Sequence, residues 1–190
     1  MKLFKSPDHF SQFVNRWTGS RILDLGCGAR KLPSAFGVDI LPSIGVDVVH
    51  DLNQFPYPFA DGSFDAVILY HVIEHLSDVP RTVVEAHRIL RPGGQVWIAT
   101  PHFTDAHSWV DPSHRFHLSI QSFNACTTEG LFDMILAYVT LKGFWKDIGY
   151  ERWINRGGIK GRPGSRAERW EAKYCFRRRG GEMRFILERC

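Results

Sequence analysis

The stretch Ile22-Leu23-Asp24-Leu25-Gly26-Cys27-Gly28 limits the folds open to this chain more than any other feature. Its first four residues carry one acid among three aliphatic side chains and read as a strand buried on both faces, the kind that belongs to a parallel sheet covered by helices. The two glycines permit a tight turn and let a ligand approach the backbone where a β-carbon would otherwise stand. Similar short apolar runs follow at residues 37–40, 46–49, 64–70 and 95–100, each bounded by Gly, Pro, Asp or Asn. Between the last two, Ser77 is placed as the cap of a helix whose apolar stripe is Val79, Val83, Val84, Ala86, His87 and Leu90, ended by Arg91-Pro92-Gly93-Gly94. Strand, helix and strand in that order imply a right-handed crossover between parallel neighbours.

Upstream, Ser6 and Pro7 read as a helix start, and Phe10, Phe13, Val14 and Trp17 recur at helical spacing. Downstream the periodicity fades. Residues 102–118 hold four histidines and read as a loop or lid, followed by a short helix near 119–125. A strand is predicted within 134–146, a turn-rich basic stretch at 155–166 with Gly157, Gly158, Gly161, Pro163 and Gly164, a helix over 168–172, and a last strand over 183–187.

With 190 residues, 44% of them hydrophobic, the chain suffices for one domain. Its expected parts are an N-terminal helix (1–20), a ligand-binding core (21–101) and an acceptor-side loop with C-terminal strands (102–190). No apolar window has the length of a signal peptide or membrane span. Cys27, Cys126, Cys175 and Cys190 form no C-x-x-C pair, so neither a disulfide framework nor a cysteine zinc site is expected, which suits a reducing, cytoplasmic setting. Charge is uneven. Residues 1–150 carry 12 Lys+Arg against 15 Asp+Glu, a balance of −3, whereas residues 151–190 carry 12 against 5, a balance of +7. This basic tail, with its Arg-rich segment 152–179, suits a phosphate-bearing partner such as RNA, a nucleotide-linked substrate or an anionic lipid surface, or equally a solvated face or an interdomain or subunit contact.

Two acids follow the glycine turn at the ends of predicted strands. Asp39 is placed to accept hydrogen bonds from a ribose diol, and Asp51, in "VVHDLN", to meet an adenine amino group. A nicotinamide dinucleotide site is disfavoured, because G-x-G-x-x-G would require glycine where Lys31 stands, and Asp39 comes only 11 residues after Gly28. The segment "YHVIEH" also spells H-x-x-E-H through His71, Glu74 and His75, an inverted zinc-protease signature. However, "FDAVILY" is too apolar and β-rich to open an exposed zinc helix, and no third ligand stands out. No metal is assigned.

Taken together, "DLGCG", the strand-ending Asp39, Asp51-Leu52, "FPYPFADGSFDAVILYHVIEHL" and "RILRPGGQVWIATP" resemble the class I S-adenosylmethionine-dependent methyltransferases, in particular their small type 11-like domain. The resemblance spans residues 21–101. It implies a Rossmann-like, doubly wound α/β fold, with a mostly parallel seven-stranded sheet and an antiparallel last strand. It also implies S-adenosylmethionine as cofactor: Asp24, Gly26 and Gly28 shape the methionine pocket, Asp39 holds the ribose, Asp51 and Leu52 flank adenine, Cys27 and Ile40 complete the cofactor-binding set, and His71 lies near the reactive methyl. One departure is plain. "ARKLPSAF" leaves room for little more than one helical turn before the second strand, a shortened first crossover, so the first helix is expected to cover that face, and Arg30 or Lys31 to meet the cofactor's carboxylate.

The expected reaction is methyl transfer to an oxygen or nitrogen atom of a small polar metabolite or glycan-type acceptor. RNA methylation and a non-catalytic binding or scaffold role are the alternatives. Aligned approach supplies most of the catalysis in such a reaction. Where a base is needed, the candidates are His71, His102 and His114, the last two from the histidine-rich stretch that also holds His107, His117, Asp105 and Asp111. Trp109, Phe116, Trp145 and Trp153 are candidates for an apolar acceptor wall or for core packing.

Overall fold

The computed structural model describes residues 8–141, 143, 145, 149–156 and 165–190. Seven strands form one sheet in the order β3-β2-β1-β4-β5-β7-β6. β1 (Ile22–Leu25) and β4 (Phe64–Tyr70) fall where the apolar runs put them, whereas β2 is Ala35–Asp39, β3 only Val48–Val49, and β5 the longer Leu90–Pro101. β1 pairs in parallel with both β2 and β4. β4 and β5 are also parallel, while β7 (Gly180–Arg189) runs antiparallel to β5 and to β6 (Phe132–Leu141). The expected doubly wound sheet with its antiparallel last strand is therefore present. Because connections from β1 lead one way to β2 and β3, and those after β3 return to β4 on the other side, a crevice opens at the carboxyl ends of β1 and β4.

Two hydrophobic clusters cover the sheet faces. On one, Leu23, Leu25, Val67, Leu69 and Ile98 pack with Val83, Ala86 and Ile89 of α2 (Val79–Ile89). On the other, α1 (His9–Arg16) brings Phe13 against Ile68 and Trp97, with Trp17 beside them. Each such side chain withdrawn from water stabilises the fold by about 1.5–3 kcal/mol. This is the expected substitution: between β1 and β2 the chain makes only a single 3-10 turn, Gly28–Arg30, and α1 shields the face a longer crossover helix would cover.

Local chemistry moved several boundaries. Asp8 caps α1 by accepting from Ser11 N–H at 3.0 Å; Ser6 and Pro7 lie outside the described residues. Asp78, not Ser77, caps α2 by accepting from Arg81 N–H at 2.9 Å, while the Ser77 hydroxyl donates to Asn53 Oδ1 at 2.8 Å. Val84 is 49% exposed, and the buried stripe of α2 takes in Thr82 and Glu85. A buried glutamate is tolerable there because Glu85 Oε2 accepts from Tyr57 N–H and from Arg88. Among the described residues, short helices α3 (His107–Val110), α4 (Asn124–Thr128) and α5 (Tyr150–Asn155) follow, then α6 (Arg166–Tyr174), capped by Ser165, whose Oγ accepts from Glu168 N–H at 3.1 Å. α4 starts later than the expected 119–125. The glycines and Pro163 of the basic turn stretch lie outside the described residues.

Candidate functional site

At the carboxyl end of β1 the chain turns sharply, and its two glycines serve different purposes. Gly26 has φ +70°, and a β-carbon there would stand 2.4 Å from Val72 Cγ2, so its missing side chain admits the turn after β4. Gly28 has φ +52° with nothing within 4 Å of where a β-carbon would stand, and it forms part of the wall of a cleft of about 880 Å³. That volume lies in the range of small-molecule sites, about 300–1,000 Å³. Asp24, Gly26, Cys27, Gly28, Arg30 and Lys31 line it from β1 and the 3-10 turn, Ile68, Tyr70 and His71 from β4, and Phe10 from α1.

Two acids shape the turn. Asp24 Oδ2 accepts from Leu32 N–H at 3.0 Å, folding the 3-10 turn back over the strand end. Burial pushes its pKa up, partly offset by that hydrogen bond and by Lys31. Asp39 Oδ2 accepts from Gly28 N–H at 2.8 Å and Oδ1 from Leu41 N–H at 3.1 Å, so its carboxylate is held directly against the glycine turn with lone pairs remaining. Beyond it Ile40 is 58% exposed. Asp51 accepts from the backbone and side-chain amides of Asn53, hydrogen bonds that hold its pKa below the ordinary value. Leu52 is buried, and its carbonyl accepts from the Tyr57 hydroxyl. Lys31 Nζ lies 2.7 Å from Asp47 Oδ2, which leaves Arg30, without a carboxylate partner among the described residues, as the cation at the cleft.

His71 is the only non-glycine among the described residues with φ in the left-handed region, +54°. Its strained backbone aims the ring between two carboxylates, with Nε2 3.1 Å from Glu182 Oε2 and Nδ1 3.3 Å from Glu74 Oε1. Burial alone would lower its pKa; hydrogen bonds and charge from Glu182 and Glu74 outweigh that and push it up to about 9. Arg184 Nε donates to Glu182 Oε1 at 2.6 Å, completing a relay from the last strand to the cleft wall.

The other two histidine candidates stand elsewhere. His102 is fully buried, with Nδ1 2.8 Å from Thr104 Oγ1 and Nε2 2.9 Å from Glu171 Oε1 of α6, and is absent from the cleft wall. His114 faces His75, ring centroids 4.6 Å apart, with Nδ1 3.0 Å from the Ser108 carbonyl. Trp109 and Trp153 are more than half exposed, the first stacked on His117, the second under Arg166. Phe10 and Glu182 are functional candidates that sequence reasoning missed. Phe10 was visible only as part of an amphipathic helix, and nothing in the spacing of Glu182 links it to His71 across the sheet.

A profile of the methyltransferase domain matches residues 23–98. An uncharacterized methyltransferase, YcgJ of Bacillus subtilis, is 26% identical over 170 residues, 73% of this chain and 65% of its own length. A probable S-adenosylmethionine-dependent methyltransferase of Mycolicibacterium smegmatis is 31% identical over 113 residues, 48% of this chain and 42% of its own length. The chain thus spans about two fifths to two thirds of these relatives. The crystal structure of an S-adenosylmethionine-dependent methyltransferase from Archaeoglobus fulgidus has the same fold, with a TM-score of 0.65 at 17% identity over 95% of this chain and 91% of that one. Residues 23–98 thus match a methyltransferase domain, and the similar proteins and the shared fold support a class I S-adenosylmethionine-dependent methyltransferase. S-adenosylmethionine is the cofactor that these similarities imply. The 3-10 turn after β1 leaves the glycine end of the cleft bounded by α1 and Arg30. No helix among the described residues is long and apolar enough to cross a membrane.

Proposed function

We propose that the protein transfers the methyl group of S-adenosylmethionine to an oxygen or nitrogen atom of a small polar metabolite or glycan-type acceptor. One observation carries the cofactor half of this reading: the cleft at the ends of β1 and β4 has an open face at Gly28 and a guanidinium at Arg30 without a carboxylate partner among the described residues, while Asp39, outside the cleft wall itself, is held against its Gly28 edge. These residues fit the cofactor. Arg30 pairs with its carboxylate, Gly28 gives it room against the turn, Asp39 receives the ribose hydroxyls, and the exposed face of Ile40, with Asp51 beyond it, takes the adenine side. Asp24, Gly26 and Cys27 build the turn, and Leu52 buttresses the adenine end from the core.

When bound, the cofactor supplies an activated methyl that an acceptor lone pair displaces, the sulfur keeping the bonding electrons. The chain's own part is alignment and exclusion of water, which can contribute about 7–11 kcal/mol. Tyr70 and His71 form the wall that orients the acceptor. Both His71 nitrogens face carboxylates, so its role is orientation rather than proton removal. His102 holds the acceptor-side loop to α6 through Glu171, and His114 stands behind the wall beside His75. Similarity to proteins named ubiquinone biosynthesis O-methyltransferase (Pseudomonas aeruginosa, 28% over 103 residues) and demethylmenaquinone methyltransferase (Symbiobacterium thermophilum, 28% over 102 residues) supports a small acceptor.

A second reading, an RNA acceptor, draws on a niche of about 200 Å³ where Arg166, Arg169 and Lys173 meet Tyr150, Trp153 and Tyr174. A steep fall of acceptor affinity with added salt would favour RNA; salt-insensitive turnover favours the small molecule. The primary test is calorimetric titration with S-adenosylmethionine and S-adenosylhomocysteine, repeated on Asp39→Asn. Binding at one site that weakens in the variant supports the proposal. A native protein that binds neither defeats it.

A further inference from the structure

The H-x-x-E-H string is only partly absorbed by the cofactor cleft: His71 faces the cleft, but Glu74 and His75 turn away and meet a residue from a distant loop. Glu74, His75 and His114 each offer a ligand atom, and these atoms all lie within 4.8 Å of one another. The His114 loop is strapped there, because Arg115 and Phe116 both donate backbone N–H groups to the Glu74 carbonyl, at 2.8 and 3.2 Å.

The hydrogen bonds around the two rings fix which nitrogen is available. His114 Nδ1 faces the Ser108 carbonyl at 3.0 Å, and a carbonyl only accepts, so Nδ1 carries the hydrogen and the neutral ring presents its lone pair at Nε2. His75 Nδ1 faces Ser113 Oγ at 2.9 Å, and that hydroxyl donates to Asp111 Oδ1 at 2.6 Å. Ser113 Oγ therefore accepts from Nδ1–H, and His75 also presents Nε2. Carbonyl-histidine and carboxylate-hydroxyl-histidine chains of this kind are how metal-binding imidazoles are oriented. Independently, Glu74 is 1% exposed, its Oε1 engages His71, and its Oε2 is buried with no hydrogen-bond partner among the described residues. An unpaired buried carboxylate oxygen is costly, and a cation removes that cost.

We propose that Glu74, His75 and His114 bind a divalent transition-metal ion, with zinc the best match, through Oε2 and the two Nε2 atoms, directly behind the His71 wall of the cleft. Two imidazoles and one carboxylate are a donor set for zinc or ferrous iron, whereas magnesium and calcium prefer all-oxygen surroundings. Bonds near 2.0–2.1 Å in tetrahedral geometry place ligand atoms about 3.4 Å apart, and one ligand atom from each of the three residues already lies within 4.8 Å of the other two. Three protein ligands leave a fourth position for water. The ion would join the turn after β4 to the 102–118 loop, so the acceptor-side loop is clamped to the same carboxylate that holds His71.

The test uses the full chain, stripped with a chelator and titrated with zinc chloride by calorimetry and with cobalt(II) by visible absorption and proton NMR. The expected result is one equivalent bound, intense cobalt bands of a four- or five-coordinate site, and two exchangeable hyperfine-shifted imidazole N–H signals. His75→Gln and His114→Gln should each weaken zinc binding by about 100-fold or more, and Ser113→Ala by about 10–100-fold, while His50→Gln leaves it unchanged. Absence of uptake, uptake indifferent to both ligand variants, or a cobalt complex lacking the two N–H signals would overturn the proposal. The NMR result on the native protein decides the matter even where a variant fails to fold. Cofactor binding is measured separately, so a failure here leaves the methyltransferase reading intact.

Discussion

Replacing each glycine of the turn by alanine separates architecture from ligand binding. Both residues have φ in the left-handed region, which costs an alanine about 1–2 kcal/mol. At Gly26 the new methyl also meets Val72 Cγ2 at 2.4 Å and Cγ1 at 2.8 Å, an overpacking penalty of about 1–3 kcal/mol, for a total of about 2–5 kcal/mol. At Gly28 the methyl meets nothing within 4 Å, so only the backbone cost applies. With a urea slope of about 1–3 kcal/mol per molar, Gly26→Ala should lower the unfolding midpoint by about 1–2 M and Gly28→Ala by clearly less. The order reverses for the cofactor. Gly28→Ala puts a methyl on the cleft wall and should weaken S-adenosylhomocysteine binding by about tenfold or more, a loss of about 1.4 kcal/mol. A double-mutant cycle of Gly26→Ala with Val72→Ala should show a favourable coupling of about 1–3 kcal/mol, because removing the isopropyl group relieves the contact. Equal destabilisation by the two alanines, or full cofactor affinity in Gly28→Ala, would refute the division of roles.

Three further outcomes follow from the same geometry. Arg30→Ala should weaken cofactor binding by about 10–100-fold, the worth of one hydrogen bond to a charged group, whereas Lys31→Ala, already paired with Asp47, should change it little; calorimetry distinguishes them. Glu171→Gln should destabilise the fold by about 3 kcal/mol at neutral pH, since it breaks a buried pair with His102, while leaving cofactor affinity in the folded fraction unchanged. Burial works to raise the Glu171 pKa, but hydrogen bonds from His102, Ile120 N–H and Gln121 and the charge of His102 bring it below the ordinary 4.5. Its stabilisation is therefore complete above about pH 4.5 and is lost as pH falls through the folded value, so urea midpoints measured from pH 6 to pH 3 should fall less steeply in the variant.

How far the sequence anticipates the structure depends on the range of the interactions involved. β1 and β4 were legible to the residue because a strand buried on both faces leaves an unbroken apolar run, and the glycine pair marks where such a run must turn. Asp39 was legible because a strand end with a carboxylate is a local pattern. The role of Gly26 was not, since the atom that forbids its β-carbon belongs to Val72, which follows β4 and reaches Gly26 only because β4 pairs with β1. The cap of α2 went to Asp78 instead of Ser77 because Asn53, 24 residues upstream, takes the serine hydroxyl. The link between His71 and Glu182 spans 111 residues, and that between His102 and Glu171 spans 69. Such pairings depend on which strands become neighbours, and a single sequence carries no local sign of them. The H-x-x-E-H string showed the same limit: its third partner, His114, arrives from a loop with no periodicity.

The most direct measurement is a crystal structure of the protein grown with S-adenosylhomocysteine. The account predicts ligand density in the cleft between the glycine turn and His71, with the ribose hydroxyls on Asp39 and the amino-acid carboxylate on Arg30. Density at another place on the molecule, or a filled cleft in which Asp39 keeps only its two backbone partners, would contradict it.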